Sequence, residues 1–324
     1  MPDFTVVVVQ GAFATAVAAT LDLLSTAALL APGLKLAAPT WRVCTLGEGP
    51  AHLSNGLSLD ARPLTRGSRP DGSVWIIPGL ATNTPSAIAA RLQMPDALQA
   101  IALLRAHLKK GGAVAASCSA VFLLQAAGLL EGRKATTTWW LAPHLKAIEP
   151  GCRVDANRMV IADGPVWTAG AAFAHTDLML QLLRTGSGNE LASAVARALL
   201  IDGREAQGPF IVPAMMANGS ALVAELTARI EAALPDIPGV AKLAAELCLS
   251  ERTLARRIQA ATGNSPSALI QFVRLKHARA LLETSQLSVD RIAEHVGYRD
   301  ATALRRLMRK VFATTPRHFR KPAV

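Results

Sequence analysis

Val289–Val311 reads VDRIAEHVGYRDATALRRLMRKV, and this stretch decides the fold of the carboxyl-terminal part of the chain. Ile292, Ala293 and Val296 recur at the spacing of one helical face, which predicts a short helix over Val289–Val296. Gly297-Tyr298 supplies a turn. A second helix is predicted over Ala301–Val311, with Leu304, Leu307 and Met308 apolar and Arg305, Arg306, Arg309 and Lys310 charged. Short helix, tight turn and basic second helix are the parts of a helix-turn-helix, whose second helix enters the major groove of DNA.

Moving toward the amino terminus, the same pattern occurs once more. Val240, Leu243, Ala244 and Leu247 form one face of a helix, and Cys248-Leu249 makes the turn. Ser250 stands where a side-chain oxygen can cap the next helix. That helix is predicted over Glu251–Ala261 and ends at Gly263. Leu254 and Ile258 face inward, while Arg252, Arg256 and Arg257 project outward. One long helix, Pro266–Leu282, joins the two units, so their second helices could lie about one DNA turn (~34 Å) apart. Charge agrees with this reading. From Ile237 to Val324 there are 16 Lys or Arg against 6 Asp or Glu, a net +10 of the whole chain's +11. A polyanion is the partner such asymmetry implies.

The segment resembles the DNA-binding domain of AraC/XylS-type regulators. The resemblance rests on Leu249-Ser250, Leu254, Gly263, Ser265-Pro266, Arg274, Ala278, Leu281-Leu282, Ile292-Ala293, Val296-Gly297-Tyr298, Thr315-Pro316 and Phe319-Arg320. It departs from the family at Ala303 or Leu304, where an aromatic is common, and at Met308, where Phe is usual. The resemblance implies base reading by Arg252 and Arg256 in the first unit. In the second it implies Thr302, Arg305 and Arg306, with Ala301 touching a thymine methyl. Arginine suits this role because its planar fork can bond both acceptors of guanine. Arg257 and Arg309 complete the DNA-binding set, and Arg309, Lys310 and Arg320 are expected to hold phosphates or structure.

The first two-thirds of the chain read differently. Apolar strands are predicted over Thr5–Val9, Trp41–Leu46, Ser73–Ile77 and Ala113–Ser117, with a hairpin of Met159–Ala162 and Val166–Ala169. Helices are predicted over Ala16–Leu30, Pro95–Lys110, Ala120–Leu130, Ala172–Leu183, Glu190–Leu200 and Ser220–Leu234. Fully apolar strands separated by helices predict a mostly parallel, doubly wound α/β sheet of flavodoxin-like form. The expected division is 1–187 as an α/β sensor and dimerisation domain, 188–236 as a helical connector and 237–324 as an all-α domain with two helix-turn-helix motifs. The apolar runs near the amino terminus and over Ala113–Leu130 are interrupted by polar residues, so no membrane segment is expected. Cys44, Cys118, Cys152 and Cys248 are scattered without metal-ligand spacing. Reduced thiols in the cytoplasm, no metal and no cofactor are the expectation.

Gly111–Ala120 runs an apolar strand into a helix with Cys118 at the joint, the form of a nucleophile elbow. With Ile77-Pro78-Gly79, Ala127-Gly128-Leu129-Leu130, Gly132–Thr137, Trp139, Ala169-Gly170 and Gln207, this resembles the PfpI-like, class I glutamine-amidotransferase-like superfamily. More specifically, it resembles the sensor domain of GlxA-type regulators within the AraC group. In such domains a His stands where this chain has Thr138, and an acidic residue where it has Ala16. The resemblance therefore implies a non-catalytic domain. It also implies a pocket of Gln10, Gly79, Leu80, Cys118, Ser119, Thr138, Trp139 and Gly170 for a small-molecule effector, an amino acid or amine, with Trp139 or Trp140 as a cation–π face. Double-stranded DNA, RNA polymerase and a second copy of the chain complete the implied partners. Two other readings stay open: a PfpI-like cysteine hydrolase or amidotransferase with a DNA-binding appendage, and a constitutive DNA binder whose first domain only dimerises.

Overall fold

The computed structural model describes residues 3–47, 49–64, 71–201, 204, 206–207, 220–262, 264–312 and 314–320. The chain forms two compact units, Met1–Glu205 and Ala206–Val324. The expected helix stop at Gly263 lies outside the described residues.

In chain order the first unit begins with β1 (Phe4–Val8), α1 (Ala14–Leu30), β2 (Trp41–Thr45), β3 (Ala51–His52), β4 (Ser58–Leu59), β5 (Arg62–Pro63) and β6 (Val74–Ile77). There follow α2 (Pro85–Leu92), α3 (Pro95–Lys109), β7 (Ala113–Ser117), α4 (Val121–Ala126), β8 (Lys134–Ala135) and α5 (Ala142–Ile148). It closes with β9 (Arg153–Val154), β10 (Val160–Asp163), β11 (Val166–Ala169), α6 (Ala174–Ser187) and α7 (Asn189–Ala198). Seven strands make one sheet in the order β10-β11-β7-β6-β1-β2-β5. All neighbours pair parallel except β10 with β11. Val6, Val8, Ile76 and Ala115 point to the face covered by α1, α6 and α7. Val7, Trp75, Ile77, Val114 and Ala116 point to the face that meets residues of α2, α3, α4 and α5. With both faces buried, alternation of polar and apolar residues disappears, which is why these strands read as continuous apolar runs.

The predicted single helix Ala120–Leu130 is corrected. Cys118–Ala120 forms one 3₁₀ turn, and α4 then runs only to Ala126 before Gly128 takes φ +69°. The all-apolar composition that suggested one long helix reflects complete burial.

The second unit contains α8 (Ala221–Ala232), α9 (Val240–Glu246), α10 (Glu251–Thr262), α11 (Pro266–Thr284), α12 (Val289–His295) and α13 (Ala301–Phe312). The two predicted helix-turn-helix pairs are α9–α10 and α12–α13, joined by α11. Within the span 188–236, α7 packs on α1 and α6, whereas α8 packs on α10 and α11. α8 buries Val223, Leu226 and Ile230, and Glu231 meets Lys276 at 3.1 Å. In the turn between α12 and α13, Gly297 has φ +80°. A Cβ there would fall 2.2 Å from the carbonyl oxygen of Pro235, so only glycine fits.

Candidate nucleic-acid interface and cysteine elbow

Each second helix of the two pairs separates its residues cleanly. In α10, Leu254, Ile258 and Thr262 are buried at intervals of four, while Arg252, Arg256 and Arg257 are exposed. In α13, Ala301, Leu304, Met308 and Phe312 are buried, and Thr302, Arg305, Arg306, Arg309 and Lys310 are exposed. The starts are fixed by caps. Thr253 N–H donates to Ser250 Oγ at 3.2 Å. Asp300 Oδ1 accepts from the amides of Thr302 at 2.7 Å and Ala303 at 2.9 Å. Those amides, with the Arg306 charge nearby, hold the Asp300 carboxyl below the usual carboxylate range.

None of the named cations on α10 or α13 has a salt bridge among the described residues. Elsewhere in the same unit Arg279 pairs with Glu283 at 2.6 Å and Arg291 with Glu294 at 2.9 Å. Seven cations are therefore presented toward solvent with no salt bridge among the described residues, on the helices that helix-turn-helix geometry aims at DNA. Ala301 differs from expectation. At 2% exposure it belongs to the core and cannot offer its methyl to thymine. Arg320 is structural, donating to the Leu287 carbonyl, while Arg274 lies over the Tyr298 ring at 5.4 Å.

In the first unit, strand β7 ends at Ser117 and the chain turns at Cys118, whose φ is +56°. That left-handed conformation is strained for a residue with a side chain and is the mark of an elbow. The turn is pinned from three sides. Cys118 N–H donates to Gly170 O at 2.8 Å, and Thr137 Oγ1 donates to Cys118 O at 2.8 Å. Ser119 Oγ donates to the Leu80 carbonyl. Gly79 is required, because a Cβ on it would stand 2.7 Å from the Cys118 Cβ. Gly79, Leu80, Cys118, Ser119 and Gly170 are thus brought together.

The remaining candidates are engaged in other ways. The Gln10 carboxamide grips the neighbouring hairpin, donating to Pro50 O at 3.1 Å and accepting from His52 N–H at 2.8 Å. Its backbone is clamped by Asp96 and Arg91, themselves an ion pair at 2.5 Å. This brace across the break between α2 and α3 was not foreseen, although Arg91 and Asp96 flank Pro95. Thr138 is fully buried, and its Oγ1 has no hydrogen-bond partner among the described residues. Trp139 is 5% exposed and packs edge to face with Trp140, their rings 5.0 Å apart.

The chemistry of the elbow follows from burial. Desolvation pushes the Cys118 thiol up to about 11, against a weaker opposing hydrogen bond from Ser119. The buried His175 is held at about 4, also by desolvation. Its Nε2 lies 2.6 Å from Thr20 Oγ1 and its Nδ1 2.8 Å from Ser117 Oγ. Thr20 Oγ1 gives its own proton to Ala16 O at 2.8 Å. That assigns the ring proton to Nε2, with Ser117 donating to Nδ1. Both ring nitrogens are consumed. His144 stacks on Phe122 at 5.6 Å, and neither histidine bonds to Cys118 among the described residues. Among those residues there is also no group of three His, Cys, Asp or Glu able to hold a metal. No described helix is long and apolar enough to cross a membrane.

Comparison with known proteins agrees with both units. Residues 243–322 match the helix-turn-helix domain family, and residues 87–185 match the DJ-1/PfpI family. Over 306 residues the chain is 28% identical to the HTH-type transcriptional regulator GlxA of Rhizobium meliloti (strain 1021), covering 92% of this chain and 90% of that protein. It is 26% identical over 275 residues to the HTH-type transcriptional regulator GbdR of Pseudomonas aeruginosa, covering 82% and 74%. Among solved structures, an AraC family transcriptional regulator from Pseudomonas putida shares the fold at 22% identity and TM-score 0.50, over 61% of this chain and 100% of that one. Drosophila melanogaster DJ-1beta does so at 20% identity and TM-score 0.50, over 62% and 100%. The chain thus joins a DJ-1/PfpI family domain to an AraC-type helix-turn-helix domain.

Proposed function

We propose that the chain is a sequence-specific DNA-binding transcription regulator, controlled by a small molecule through a first domain that does no catalysis. The observation that carries this reading is the row of exposed cations on α10 and α13, without salt bridges among the described residues and each backed by a buried apolar row. Arg252, Arg256, Thr302, Arg305 and Arg306 read bases, and Arg257, Arg309 and Lys310 hold phosphates. The similarity to proteins named as transcriptional regulators over most of the chain supports the same reading.

The first domain is the sensor. Its elbow supports a binding role over an enzymatic one, because a nucleophilic thiol needs a lowered pKa or an adjacent base. Burial raises the Cys118 pKa, and His175 is spent on Ser117 and Thr20. Thr138 stands where the family resemblance implies a His. Its unpartnered hydroxyl, with Gly79, Cys118 and Ser119, forms the place for an amino acid or amine effector. The active species is a cytoplasmic homodimer that contacts RNA polymerase. Sensor and reader divide after α7, with α8 belonging to the reader.

The test measures full-length protein on duplex DNA across a salt series, beside hydrolase and amidotransferase assays. Log affinity should fall steeply against log salt. Cys118→Ser should leave DNA binding unchanged. Turnover that vanishes in that variant would replace this reading with the enzymatic one.

A further inference from the structure

One cavity is lined by none of the elbow residues. It has a volume of about 450 Å³ and opens between α6 and the edge strand β10. Asp177, Gln181 and Arg184 stand at i, i+4 and i+7 on α6 and so share one face of that helix. Arg158 and Val160 complete the wall from the β10 side, and Arg204 reaches in from the segment after α7. Three guanidinium groups and one carboxylate therefore line this space.

Their bonding is unequal. The Arg204 guanidinium donates to Asp177 Oδ2 at 2.6 Å and to Phe173 O at 2.5 Å, and its backbone N–H donates to Asp177 Oδ1 at 2.8 Å. The Asp177 carboxylate is 4% exposed and already answered by this one arginine. Arg184, one face-turn further along α6, has no ion pair or hydrogen bond to its guanidinium among the described residues. A planar guanidinium fork facing a cavity of this size is suited to a bidentate oxyanion. The volume falls in the range of small-molecule sites, roughly 300–1,000 Å³.

We infer that this cavity binds a small oxyanion, a carboxylate or phosphate group, through Arg184 with Arg204 and Gln181 beside it. The site is separate from the elbow and does not depend on the assignment of the DNA readers. An anion bound here would sit against the Arg204–Asp177 pair, which ties the segment leaving the first unit to the first turn of α6.

The experiment is calorimetric titration of the full-length protein with inorganic phosphate and, separately, with succinate, at constant ionic strength in chloride. Saturable binding of at least one is expected. Arg184→Gln should weaken it roughly 10- to 100-fold, the loss typical of a hydrogen bond between charged groups. Arg62→Gln makes the same charge change on the far edge strand β5 and should leave binding within about twofold. Both variants should melt like the parent and keep its affinity for duplex DNA, which separates this site from the DNA-reading assignment. Absence of saturable binding, equal weakening by both variants, or saturation by a short DNA duplex in place of either anion would overturn the inference.

Discussion

His175 sets what the elbow can do, because it offers both ring nitrogens to Ser117 and Thr20 in a fully buried place. Folded, it titrates at about 4; unfolded, near 6.5. As pH falls through that window the unfolded chain takes up a proton that the folded chain refuses, so stability is lost toward acid. Between pH 7 and 5 the loss from this group is about 2 kcal/mol. Urea midpoints at those two pH values should separate more for the parent than for His175→Gln; equal separations would contradict the assignment. Cys118 makes a second prediction. With its pKa near 11, iodoacetamide at pH 7.5 should label the exposed Cys248 well before Cys118, as read by peptide mass mapping. Preferential labelling of Cys118 would show an activated thiol. Arg256→Ala should cost about 1–3 kcal/mol on the specific site and little on random DNA. Equal losses on both would make Arg256 a phosphate contact. Neither the spent state of His175 nor the buried state of Ala301 is legible in sequence. His175 lies 58 and 155 positions from its partners, and the burial of Ala301 depends on how α13 rotates against α12.

At the scale of the element, legibility followed periodicity. α10 and α13 carry apolar residues every three to four positions with cations between them, and their predicted limits differ from the observed ones by a residue. α2 and α5 went unpredicted. α2 buries only Ile88, and α5 only Ala142 and Leu145, so neither shows an apolar stripe. The elbow region failed in the opposite way, since a segment apolar all round has no period to read. Position along the chain also misled at α8, which looked like connector yet packs inside the reader. The caps give this scale its prediction. Asp300→Ala removes the acceptor of two amides at the start of α13 and should destabilise the second unit. Thermal melting of the full chain should reveal it as a lowered reader transition, with DNA affinity falling in parallel. An unchanged transition would mean that water satisfies those amides equally well.

For the whole molecule, the division of charge matters most. The carboxyl-terminal 88 residues carry +10 of the chain's +11, and the 236 residues before them carry only +1. A sensor can act on such a reader only if its ligand binds the DNA-competent arrangement with a different affinity from the alternative. A coupling of about 1–3 kcal/mol would change DNA affinity roughly 5- to 150-fold, and ligand affinity by the same factor when DNA is present. Titration of an effector with and without operator should show that reciprocity. Equal affinities would place control at polymerase contact. All of this presupposes specific DNA recognition, and selection of full-length protein on a pool of random duplexes tests it most directly. Enrichment of two short motifs about one helical turn apart is expected, bound on the order of 10³-fold or more tighter than random duplex at physiological salt. Failure to enrich any sequence, with binding to all duplexes equal and governed by salt alone, would contradict it.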